Sequence, residues 1–169
     1  MPKLPIPLLT EAIQPAPGRS AWHGGPTPLG ALRGVSAAQA RWTPTPGRKS
    51  IWALTLHLTY WKYAVRRLLD GSGRGRFPRQ PSNWPVPPEP ADSRAWADDL
   101  ALLRAEHEHL VRAAGLVTPS ILQKRPPGSL RWTYGELLIG IATHDAYHTG
   151  QIQLMKRLWR ERRLLKRGA

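Results

Sequence analysis

Leu137-Leu138-Ile139-Gly140-Ile141-Ala142-Thr143-His144-Asp145-Ala146-Tyr147-His148-Thr149-Gly150-Gln151-Ile152 is the stretch that decides the fold. Leu137, Ile141, His144, His148, Ile152, Met155 and Trp159 recur at steps of three and four, the stripe of a core-facing helix. Thr133-Tyr134-Gly135-Glu136 has capping-box spacing, so the longest helix is expected to start near Thr133. Gly140 and Gly150 inside it each cost about 1 kcal/mol relative to Ala, which leads us to expect a second helix packed close to them.

Working outward, Ser50 is a plausible N-cap for a helix over 50–70 whose stripe is Leu54, Leu58, Trp61, Val65 and Leu68. Asp92 or Ser93 caps another, to about Ala114, with Trp96, Leu100, Leu103, His107, Leu110 and Ala114 inward. Shorter helical pieces are expected at Leu8–Ile13, at Leu29–Arg33 and after Ser36, which has capping-box spacing to Gln39. No strand pattern competes. The residues between Gly71 and Pro90 include six prolines, and a connection this long lets two consecutive helices run parallel. The fold class is therefore all-α, a bundle of about four helices in one domain over 1–169. Residues 1–30 form an irregular N-terminal segment and 156–169 a basic helical tail.

Composition bounds the function. The absence of cysteine excludes disulfides, thiolate metal sites and a cysteine nucleophile. No apolar run reaches the roughly 20 residues of a membrane span, and the Pro-rich start does not read as a secretory signal, so a soluble cytoplasmic protein is expected. The formal net charge of +14 raises the question of nucleic acid. Much of that charge lies in Lys156, Arg157, Arg160, Arg162, Arg163, Lys166 and Arg167, where cations complement a helix C-terminus. A solvated helix end explains them more simply than a nucleic-acid surface does.

His144 and His148, four residues apart, share one helix face in the middle of an apolar stripe. A buried imidazole must satisfy two nitrogens, and a metal ion removes that cost for both residues at once. His57 borders the stripe of the first long helix and is the leading third ligand; His107 is its rival, also on a core stripe. His23, in a Gly/Pro loop, is a weaker candidate for a site role, and His109 lies off the stripe. Gln151 could face the cavity, and Asp145 points about 100° away from His144, toward a supporting or surface position. Three neutral imidazoles suit one divalent ion, zinc, nickel or iron, and leave positions open for water or substrate.

His144-Asp145-Ala146-Tyr147-His148-Thr149-Gly150-Gln151-Ile152 and Ser50-Ile51-Trp52-Ala53-Leu54-Thr55-Leu56-His57 resemble the two histidine signatures of the DinB/YfiT-like proteins, and Trp22-His23-Gly24 is similar to a stretch in some members. The resemblance covers roughly residues 20–160. It implies a four-helix bundle of up-down-down-up connectivity with a metal held by His57, His144 and His148. It further implies metal-dependent chemistry on a small-molecule substrate, either hydrolysis or transfer of a low-molecular-weight thiol, and frequent homodimers. The eight tryptophans, more than one small core comfortably hides, point the same way on dimerisation.

Overall fold

The computed structural model describes residues 6–16, 18, 23–73 and 75–165, with side chains up to residue 162. Among them there are six helices and no strand: α1 (Ile6–Ile13), α2 (Pro28–Ala31), α3 (Ala37–Arg41), α4 (Ile51–Asp70), α5 (Ser93–Gly115) and α6 (Tyr134–Leu165). No helix among the described residues is long and apolar enough to cross a membrane. Trp22 of the Trp-His-Gly stretch, the Arg163 side chain, Lys166 and Arg167 lie outside the described residues.

Each long helix starts where a side chain takes up an orphan N–H. Ser50 accepts from Ala53 N at 3.2 Å and Asp92 from Ala95 N at 2.8 Å. Thr133 and Glu136 close a full capping box: Thr133 N donates to Glu136 Oε2 at 2.8 Å, and Glu136 N to Thr133 Oγ1 at 3.2 Å. Helix α4 stops at Gly71, whose φ of 67° is the left-handed conformation a C-terminal glycine adopts without a Cβ penalty.

Helix α4 is the hub, packing against α3, α5 and α6, while α1 packs against α5 and α6. It is consequently buried nearly all round, from Ile51 and Trp52 through Leu56, Leu58 and Lys62 to Leu69. The apolar core is in two parts. One joins the start of α4 (Trp52, Leu54) to the start of α5 (Trp96, Leu103) and the end of α6 (Ile152, Met155). The other joins the end of α4 (Val65, Leu69), the end of α5 (Leu110, Ala114) and the start of α6 (Leu138, Ile141), with Leu9 and Ile13 of α1. Between them lies a polar layer: Lys62 from α4, Glu106 and His107 from α5, and Asp145, His148 and Thr149 from α6, all buried.

Several expectations need correction. Trp61 is 37% exposed, and the inward position beside it belongs to Lys62, which is fully buried. Gly140 and Gly150 mark no close approach: a Cβ on either would meet nothing within 4 Å. With no contact to lose, Gly150→Ala is expected to stabilise the fold by about 1 kcal/mol, read as a rise in thermal midpoint. A fall instead would mean that something covers this face. The basic end of α6 is not wholly solvated either. Lys156 Nζ donates to the Ala31 carbonyl at 2.6 Å, joining α6 to α2, and the Arg162 guanidinium lies over the Trp159 ring.

Candidate metal centre

His57 comes from the middle of α4 and His144 and His148 from successive turns of α6, at the level of the polar layer. One ring nitrogen of each lies within 4.8 Å of the other two, so the three could hold one ion. His144 Nε2 lies 3.1 Å from His57 Nε2. That is close to the edge of about 3.3 Å between two nitrogens bound tetrahedrally at about 2.0–2.1 Å.

The outer nitrogens fix the tautomers. His57 Nδ1–H donates to the Asn83 carbonyl at 2.5 Å, leaving Nε2 as a lone pair aimed at the cluster. His148 Nδ1–H donates to Gln151 Oε1 at 2.7 Å, with the same result. His144 therefore donates from Nε2 to His57, and its buried Nδ1 has no hydrogen-bond partner. The His57 ring also stacks on Trp84, with centroids 3.8 Å apart and planes within 9°. Asn83 Oδ1 accepts from Trp61 Nε1 at 2.9 Å, so the Pro-rich connection from α4 to α5 clamps this histidine from outside.

Burial is the first cause of low basicity in all three. It pushes His144 down to about 3, helped by the neighbouring His148, His57 and Lys62. His57 is lowered by burial against the opposing Asn83 carbonyl, and His148 by burial against Gln151 and Asp145. At neutral pH the cluster is thus a set of uncharged donors, the form a divalent ion needs. The three-histidine donor set fits such an ion.

Asp145 is not on the surface. It is buried, and its Oδ2 accepts from the buried Lys62 Nζ, bridging α6 to α4 beside the cluster. Burial pushes the Asp145 carboxyl up, and the Lys62 ammonium opposes the rise. Neither Lys62 nor the Asn83-Trp84 pair was picked out by spacing. Lys62 did leave a signal, since Leu58, Lys62, Val65 and Leu69 make a helical stripe as regular as the one through Trp61.

The rival histidines lie elsewhere. His107 Nε2 donates to Gln14 Oε1 at 2.5 Å, joining α5 to the end of α1, and is outside the cluster. His23 accepts from Gly25 N at 3.1 Å and lines a 580 Å³ cavity between α1 and the side of α6 that carries Thr143, Ala146 and Thr149. His109 is exposed at 3.9 Å from Glu106.

Burial lowers His107 to about 4, with Lys62 adding to the effect. Unfolded, this histidine titrates near the ordinary value of about 6.5. Its contribution is therefore intact above pH about 6.5 and lost progressively toward pH about 4, by about 1.4 kcal/mol per pH unit. His107→Gln, which keeps a donor toward Gln14, is expected to flatten urea-derived stability against pH in that window. An unchanged slope would count against a buried neutral His107.

No curated protein and no solved structure gives a significant match to this chain. A family model does match, that of the DinB superfamily, over residues 28–152, which takes in the whole of α4 and α5 and all three clustered histidines. The chain belongs to the DinB superfamily.

Proposed function

We propose that this protein is a metal-dependent enzyme acting on a small molecule, with one divalent ion held by His57, His144 and His148. The observation that carries the reading is the convergence of three neutral imidazoles whose outer nitrogens, on His57 and His148, are held by Asn83 and Gln151. Zinc, nickel or iron(II) suits an all-imidazole set. Bound there, the ion would act as a Lewis acid, activating water for hydrolysis or holding a low-molecular-weight thiol as thiolate for transfer. Gln151 and Asn83 orient the ligands, and Trp84 covers one face of His57.

A non-catalytic metal- or ligand-binding bundle is the second reading. It is favoured by the Asp145 carboxylate, which turns to Lys62 and is not free to serve as a general base at the cluster. We read the architecture as a single four-helix domain in up-down-down-up order formed by α1, α4, α5 and α6. The sharing of core clusters by the like ends of α4 and α5, and by the opposite end of α6, supports this. A cytoplasmic homodimer is the expected form.

The test is elemental analysis of the purified protein, followed by hydrolase and thiol-transfer assays. About one zinc, nickel or iron per chain is expected. Folded protein that holds no such ion, and takes none up on titration, overturns the assignment. Metal without turnover in either assay favours the binding bundle.

A further inference from the structure

We propose that a groove beside His144 receives the apolar, ring-sized part of the substrate, whose polar end reaches the three histidines. This rests on the metal reading above and specifies the kind of molecule the site accepts.

The groove has a volume of 300 Å³ and lies between α4 and the first turns of α6, with Trp132 from the preceding loop. Trp61 and Val65 form one wall and Leu137 and Gly140 the other, and His144 is part of the lining. His144 therefore belongs both to the candidate metal cluster and to the groove, so an occupant would lie next to the cluster. Trp132 and Trp61 are 45% and 37% exposed, an unusual outlay of aromatic surface to leave against water. The Trp61 ring is held by its hydrogen bond to Asn83, so this wall is preformed.

Charge is nearly absent from the lining. The one carboxylate, the exposed Glu136, turns its Oε2 to the backbone N and the hydroxyl of Thr133 at the helix start. A charged or sugar-like group would find little to bind, whereas an aromatic ring or short branched chain would bury its surface on tryptophan. The size is at the lower limit of about 300 Å³ for small-molecule sites, enough for one ring and its linker. Gly140 keeps the groove open: a Cβ there meets nothing within 4 Å, so a larger side chain would project into the space the substrate takes.

Two hydroxamates on the zinc-loaded protein test this by calorimetry. Acetohydroxamate and benzohydroxamate share a metal-binding head and differ by the ring. Benzohydroxamate is expected to bind roughly tenfold or more tightly, from burial of the ring. Gly140→Leu should abolish that preference while leaving metal content and acetohydroxamate binding unchanged. Equal affinities on the parent protein, or a preference that survives Gly140→Leu, overturn the groove and leave the metal centre standing. If the protein takes up no metal, the metal reading fails by itself, and saturation-transfer NMR with toluene still decides the groove. Transfer lost in Gly140→Leu supports it, and transfer that is absent or unchanged overturns it. A parent dimer that Gly140→Leu converts to monomer by light scattering would mark the face as an interface between copies and also overturn it.

Discussion

Replacing Lys62 by Met is expected to cost about 3–5 kcal/mol of folding stability, the largest effect of any single substitution outside the apolar core. Lys62 is fully buried, and its one hydrogen-bond acceptor among the described residues is Asp145 Oδ2. Asp145 is also buried, and its Oδ1 has no partner. Removing the ammonium leaves a carboxylate that burial already disfavours, with nothing opposite it. The loss is therefore the cost of an uncompensated buried charge and exceeds the net worth of the pair. The double variant Lys62→Met/Asp145→Leu removes both charges at similar volume and should recover most of the stability, within about 1–2 kcal/mol of the parent. Urea unfolding of the two variants checks this. A single variant that loses less than about 1 kcal/mol would mean that water screens the pair, through the cavity that Asp145 helps to line, and that the pair is worth no more than a surface one.

The same pair marks the boundary of what the sequence could convey. Helical periodicity works by contrast between a wet face and a dry one. Helix α6 has that contrast: of its stripe, Leu137, Ile141, His148, Ile152 and Met155 are buried as the spacing predicts, while His144 and Trp159 are only half-buried. Helix α4 is enclosed on nearly every side, so apolar residues fall all round it and two stripes, through Trp61 or through Lys62, fit about equally well. The capping signals at Ser50, Asp92 and Thr133 were legible because a cap is a contact within three or four residues. The Asn83-Trp84 clamp on His57 is a contact across 26 residues of Pro-rich chain, with no periodicity to announce it. The glycines misled for a related reason: a helical glycine signals either a close neighbour or open space, and only the packing of α6 distinguishes the two. The histidines were readable because an imidazole pair in an apolar stripe is costly wherever it occurs.

Changing His57, His144 or His148 singly to Ala is expected to lower bound metal from about one ion per chain to less than about a tenth after dialysis against buffer. The three should act alike although they are differently supported. His57 is held by Asn83 and Trp84 and His148 by Gln151, so losing either removes an oriented donor. His144 has no partner for Nδ1 and points Nε2 at His57, so its orientation depends on the cluster itself. The variants should remain folded, because each substitution removes a buried polar ring and leaves the apolar clusters intact. Metal affinity should fall with decreasing pH, since protons compete for the ligating nitrogens. The sign of the pKa shifts sets where this happens. All three imidazoles are lowered by burial, His144 to about 3, so the folded apo site resists protonation and competition sets in below the ordinary histidine value of about 6.5. Metal content measured across pH 4–7.5 on the parent and the three variants provides the check. A His57→Ala protein that keeps its full complement of metal would detach α4 from the site and leave the ion, if any, to α6 alone.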